Sequence, residues 1–232
     1  MGPRVTILDY GMGNIFSIER AMRKLGCETV LADSPEGIAG AERLILPGVG
    51  AFGKAMEELE RRDCVRAILD YAASGKPLLG ICLGMQLLMR EGSEFGGGRG
   101  LGIVEGRVVA LKGEDMDGRR LKVPHIGWNG VCENGKEASW KGTILDGVGW
   151  DSSFYFVHSF VCVPSDQGAV LAETSYGSER FPSVIQAGNI HGCQFHPEKS
   201  GPLGLAVCRN FAFNTPEKGC GDAIRKDAGQ AA

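Results

Sequence analysis

Between Pro77 and Leu88 the chain leaves its backbone little choice. An apolar run, Leu78-Leu79-Gly80-Ile81, leads into Cys82. Leu83-Gly84-Met85-Gln86-Leu87-Leu88 then follows with helix-compatible residues. Glycines stand two before and two after the cysteine, where a Cβ would crowd a sharp strand-to-helix turn. That layout is a nucleophile elbow, a turn that holds one reactive side chain in a strained, exposed position. It also sets Cys82 at a helix N-terminus, where the dipole favours a thiolate. A buried cysteine at an ordinary strand-helix junction is the plainer reading, and the flanking glycines argue against it.

The 232 residues suit one large domain, and 43% hydrophobic with 23% charged residues is ordinary for a globular chain with a sizeable core. A net charge of −3 provides no basic surface for nucleic acid or an anionic membrane. No apolar run reaches the roughly 18 residues of a membrane span. A strand begins almost at Met1, which leaves no room for a signal peptide. The eight cysteines, at 27, 64, 82, 132, 162, 193, 208 and 220, are scattered with no Cys-x-x-Cys pair. They read as reduced thiols of a cytoplasmic protein. His191-Gly192-Cys193-Gln194-Phe195-His196 lacks a second pair of ligands for zinc, so no metal and no cofactor are expected.

Along the first 90 residues, strands and helices alternate with short connections. Strands are expected at 5–8, 29–31, 43–46 and 78–81. Helices are expected from Ile15 to Leu25 with Asn14 as N-cap, around 53–62 and 64–73, and from Cys82 to Arg90. Several of these strands are continuous apolar runs, as in a parallel sheet covered on both faces. After Phe95-Gly96-Gly97-Gly98 the chain becomes β-rich. Strands are expected at 106–111, 121–124, 154–160, 168–173 and 183–188, closing near Gln194-Phe195, with turns at Asn134-Gly135 and Asp146-Gly147. A last helix covers 202–213. The fold class is α/β: a mostly parallel central sheet flanked by helices, with added β hairpins in the second half. Residues 1–213 form a single domain, and 214–232 a flexible C-terminal tail.

A cysteine nucleophile needs a base and a group to orient that base. Four histidines are available: His125, His158, His191 and His196. Glu198 stands two residues after His196. In extended chain such residues project to one side, so Glu198 can hold one ring nitrogen while the other faces Cys82. His191 could compete, but it has no carboxylate at the same spacing. His125 and His158 lie among apolar residues and read as packed, hydrogen-bonded histidines or walls of the site. Donors for a developing oxyanion are expected from Gly48, Val49 and Gly50, whose glycines let N–H groups turn toward a ligand, and from the N–H of Leu83. Gly11-Met12-Gly13-Asn14 resembles a phosphate-binding turn but lacks the third glycine of a dinucleotide site.

Together, Gly80–Gln86 and Gln194–Glu198 resemble the nucleophile and His/Glu motifs of the class I glutamine amidotransferases, which have a flavodoxin-like fold. Asp9–Asn14, Pro124–Asn129 and Tyr155–Ser159 narrow the likeness to the glutaminase-subunit family of imidazole glycerol phosphate synthase. The elbow reads Cys-Leu-Gly-Met-Gln, where anthranilate-type subunits typically have His in the fourth place. The resemblance spans about residues 4–213. It implies hydrolysis of glutamine to glutamate and ammonia by Cys82, His196 and Glu198. Gly50, Gln86 and the backbone around Ser159 would hold the substrate, and a peptide of the Pro47–Gly50 strand would have to flip. It further implies a heterodimer with a separate (β/α)8-barrel cyclase. That partner would use the ammonia to make imidazole glycerol phosphate and AICAR in histidine biosynthesis, with Trp128, Tyr155 and Lys199 near the interface. A free-standing cysteine hydrolase and a catalytically silent binding module are the competing readings. The first needs neither Asp9–Asn14 nor Tyr155–Ser159, and the second has no need of an intact triad.

Overall fold

The computed structural model describes residues 2–134 and 139–214. Its central element is a seven-stranded sheet. In chain order the first half comprises β1 (Arg4–Leu8), α1 (Ile15–Lys24), β2 (Glu28–Ala32), α2 (Pro35–Ala39), β3 (Leu44–Leu46), α3 (Phe52–Arg61), α4 (Cys64–Ala73), β4 (Leu78–Ile81) and α5 (Leu83–Leu87). The second half comprises β5 (Met89–Gly92), β6 (Gly98–Arg99), β7 (Val104–Ala110), β8 (His125–Val131), β9 (Ser152–His158), β10 (Phe160–Pro164), β11 (Val170–Tyr176), β12 (Glu179–Ala187), β13 (Ile190–Cys193) and α6 (Gly201–Phe213). The main sheet runs β11-β12-β13-β4-β3-β1-β2. The pairs from β13 to β2 are parallel, and β11 and β12 add an antiparallel edge.

The apolar runs read from sequence are strands buried on both faces. Leu44 and Leu46 pack with Phe52, Leu59, Ile68 and Tyr71 of α3 and α4. Ile45, between them, packs with Ile18, Met22, Val207 and Phe211 of α1 and α6. Period-two alternation thus sends neighbouring residues into two separate cores. β10, β7, β5 and β6 form a second sheet, and β8 and β9 a two-stranded ribbon. Among the described residues no helix is long and apolar enough to cross a membrane.

Several expectations need correction. The helix expected from Cys82 to Arg90 stops at Leu87, and β5 follows. The carbonyls of Leu87, Leu88 and Met89 accept from the N–H groups of Leu101, Val104 and Gly102, so sheet pairing replaces helical bonds. Residues 121–124 are not a strand, because Pro124 has no N–H to donate and pairing begins at His125. β8 itself was not foreseen, nor was α2. The expected strand 154–160 is two strands, because the chain changes partner at Ser159, from β8 to β7. Asn14 stands at the start of α1, yet its side chain makes no capping bond. Gly135 of the expected Asn134-Gly135 turn, and the tail beyond Asn214, lie outside the described residues.

Candidate active site

Three adjacent parallel strands bring the candidate residues together. Pro47–Gly50 follows β3, Cys82 follows β4, and His196 lies just beyond β13, and β4 is flanked by the other two. All three segments emerge at the carboxyl ends of their strands, where open α/β sheets place ligands. Cys82 has φ +55° and ψ −110°, a conformation that L-residues seldom adopt. The flanking glycines are steric requirements. A Cβ on Gly80 would lie 2.7 Å from Met85 N, and one on Gly84 would overlap the Leu46 carbonyl oxygen. Gly48 is equally constrained, since its Cβ would lie 2.7 Å from Leu83 Cβ.

His196 is held by its main chain and its ring. Its N–H donates to Tyr155 O at 2.9 Å, and its carbonyl accepts from Ser200 Oγ at 2.7 Å. Glu198 sits in a 3-10 turn, Pro197–Lys199, and not in the extended chain expected. The turn still delivers Oε1 to His196 Nδ1 at 2.9 Å, with the two side chains 2% and 1% exposed. Nδ1–H therefore donates to the carboxylate, and Nε2 is the ring atom left to exchange a proton. Nε2 is buried and has no hydrogen-bond partner among the described residues. Burial alone would lower the His196 pKa, but the Cys82 sulfur and the Glu198 carboxylate outweigh it and push it up to about 10. A proton on this imidazole is thus stabilised from both sides.

Cys82 Sγ lies 3.8 Å from Val157 O and 3.7 Å from Gln194 Nε2, which donates to it. Gln194 is fully buried and in turn accepts from Gln86 Nε2 at 3.1 Å. The same Gln86 nitrogen donates to Phe160 O at 3.0 Å. Both its hydrogens are engaged in the protein, which leaves Oε1 as the atom to accept from a ligand. Sequence reasoning treated Gln194 only as the edge of a motif. Its spacing of two from His196 along an extended segment was the signal that both side chains could face the same site.

The Pro47–Gly50 segment lies against the elbow, but the expected Val49 donor is already engaged, since its N–H donates to Met12 O at 2.8 Å. The N–H of Leu83, in the first turn of α5, is left free by helix geometry. One further bond secures the segment, Tyr10 OH donating to Pro47 O at 2.8 Å, and just beyond it the Phe52 N–H at the start of α3 donates to Glu94 Oε2 at 2.6 Å. Glu94 was not anticipated, because nothing local connects it to a loop 42 residues away. Ser159 is half-buried at the bend between β9 and β10, and its carbonyl accepts from Leu111 N.

The three residues expected at an interface form one surface cluster. Trp128 and Tyr155 are opposite each other in the β8–β9 register, with ring centroids 6.1 Å apart. Lys199 Nζ lies 5.9 Å from the Tyr155 ring centre. Trp128 is 59% exposed, and Ile126 on the same strand face and Val49 beside the elbow are also exposed. His191 is not part of the site. It is buried lower on β13, edge-on to Phe211, and among the described residues it has no ion pair or hydrogen bond with a carboxylate. Among the described residues no group of three His, Cys, Asp or Glu side chains is arranged to hold a metal ion.

Comparison with known proteins agrees with this geometry. The profile described as glutamine amidotransferase class-I matches residues 6–215. The imidazole glycerol phosphate synthase subunit HisH 1 of Legionella pneumophila (strain Lens) is 45% identical over 89% of this chain and 97% of its own. The HisH subunit of Salinibacter ruber is 46% identical over 89% and 93%. Among solved structures, PurLQS from Thermotoga maritima superposes with a TM-score of 0.65 at 20% identity, covering 91% of this chain and 98% of that one. Such a distant likeness shows the fold alone. The full-length matches above 40% identity, on a chain whose cysteine elbow faces a His-Glu pair, place it in the class I glutamine amidotransferases and, within them, in the family of imidazole glycerol phosphate synthase subunits HisH.

Proposed function

We propose that this chain hydrolyses glutamine and passes the ammonia to a separate (β/α)8-barrel cyclase, which makes imidazole glycerol phosphate and AICAR. The observation that carries the reading is the buried His196–Glu198 pair, whose remaining ring nitrogen has no hydrogen-bond partner among the described residues and whose imidazole feels the Cys82 sulfur. His196 Nε2 takes the Cys82 thiol proton, and the resulting thiolate attacks the side-chain amide carbon. The carbonyl π electrons move to oxygen, where the Leu83 N–H and a donor from Gly48–Gly50 stabilise the charge. His196 Nε2–H protonates the amide nitrogen as the C–N bond breaks, and ammonia leaves. Water, deprotonated by His196, then cleaves the glutamyl thioester and restores the thiol. Glu198 keeps Nδ1–H in place throughout and orients the ring. Gly50, Gln86 and the backbone near Ser159 hold the glutamine.

The Val49 N–H bonded to Met12 O gives this reading a resting state. Turning that peptide toward the elbow supplies the second oxyanion donor, and a cyclase docked over Trp128, Tyr155 and Lys199 lies where it can favour the turn. The test is glutamate release by wild type and Cys82→Ala, with and without the cyclase and its ligand. Wild type alone should be slow, the complex much faster, and Cys82→Ala inactive in both. Activity surviving in Cys82→Ala would remove the nucleophile, and full activity without the cyclase would remove the coupling.

A further inference from the structure

Apart from His196 lies a pair of buried histidines that the mechanism does not use. His125 on β8 and His158 on β9 are 3% and 5% exposed, and His125 Nδ1 is 3.0 Å from His158 Nε2. Phe156 and Tyr176 stack on His125, and Phe181 meets both rings edge-on. No carboxylate is among these contacts, and burial pushes the two pKa values down to about 4 and about 3. Both rings are therefore neutral.

Neutrality fixes every proton in the chain of bonds. His158 Nδ1 lies 3.0 Å from Phe160 O, which can only accept, so Nδ1 carries the hydrogen and Nε2 is an acceptor. His125 Nδ1 must then donate to it. His125 Nε2 is left to accept from Asn129 Nδ2, 3.5 Å away. Phe160 O also receives Gln86 Nε2, and Gln86 contacts Gln194, which donates to Cys82 Sγ. The carbonyl that orients Gln86 is thus located by a one-way series of donors that begins on the strand bearing Trp128.

We propose that His125 and His158 form a positioning pair of fixed tautomer that holds the Phe160 carbonyl, and through it Gln86, for glutamine binding. This rests on the glutaminase reading. The pair touches no reacting atom, so its loss loosens the grip on substrate and leaves the Cys82–His196 pair intact.

The full chain with saturating cyclase provides the test. In His125→Phe, KM for glutamine should rise about tenfold, the equivalent of one lost buried hydrogen bond, while kcat stays within about threefold. Alkylation of Cys82 by iodoacetamide should keep the wild-type rate. His125→Asn retains a donor where Nδ1–H was and should restore most of the wild-type KM. An unchanged KM in His125→Phe overturns the proposal. So does a His125→Asn variant as impaired as His125→Phe, which would assign the pair to packing alone. If His125→Phe does not fold, ring-nitrogen NMR of the wild type at neutral pH decides the matter. Both rings should be Nδ1–H tautomers, and an Nε2–H tautomer or an imidazolium at either overturns the assignment. Absence of Cys82-dependent glutamate release in wild type would instead mark failure of the glutaminase reading itself.

Discussion

At the scale of single residues, environment separates Cys82 from the other thiols. Burial pushes Cys162, Cys193 and Cys208 upward, which keeps them protonated and unreactive. Cys82 alone among them occupies a left-handed turn with a histidine opposite. The grouping of Cys82 with His196 and Glu198 was legible because half of it is local: His196 and Glu198 are two residues apart, and the elbow announces itself through its glycines. Gln194 was not legible as a neighbour of Cys82, nor Glu94 as a partner of the α3 N-terminus, since each takes its meaning from a partner brought near by the fold. Glu198→Ala should lower kcat by roughly 10²–10⁴-fold, less than loss of the nucleophile, as expected of a group that orients and stabilises the base. Glu198 is one of the two groups that raise the His196 pKa. Its removal should therefore move the alkaline limb of the rate profile to lower pH, which initial rates measured across pH would reveal. An unmoved limb would mean that Cys82 alone sets that pKa.

At the scale of elements, the site depends on three neighbouring strands ending level with one another. Gly84 marks a close approach, where α5 passes against the carbonyl end of β3. Gly84→Ala should destabilise the fold by about 1–3 kcal/mol or more, because backbone on both sides must move. Gly53, near the start of α3, has nothing within 4 Å of an added Cβ. Gly53→Ala should stabilise by about 0.5 kcal/mol through the unfolded chain. Urea unfolding of both variants tests the opposite signs. The first 90 residues were readable because β1, β3 and β4 are apolar on both faces and their helices carry clean stripes. The second half was harder. Met89-Arg90 reads as the end of a helix until β7 pairs with this stretch, and 154–160 reads as one strand until Ser159 divides it between two partners. In both places long-range pairing overrides a local pattern.

At the scale of the molecule, the buried histidines set the response to acid. His125, His158 and His191 are all pushed down, to about 4, 3 and 4, mainly by burial. Each stays neutral in the fold and gains a proton on unfolding below about pH 6.5. The stability tied to them is full above that pH and is lost as pH falls toward 4, at up to about 1.4 kcal/mol per pH unit for each. His196, shifted the other way, has its full effect below pH 6.5 and adds no loss there. His191→Leu removes one such group, whose buried Nδ1 has no hydrogen-bond partner among the described residues. Its stability from chemical denaturation should fall less steeply between pH 6 and 4.5, by about 1.4 kcal/mol per unit. An identical slope would mean that His191 is protonated within the fold. Tyr155 has a different kind of reach. Its ring lies in the outer cluster, while its carbonyl holds the His196 N–H and its own N–H donates to Ser200 Oγ, which also ties back to His196. One residue is thus both doorplate and doorpost. Both bonds are main-chain ones, so the ring can be exchanged for another while the backbone keeps its hold on His196, and the outer face is free to drift while the histidine behind it stays put.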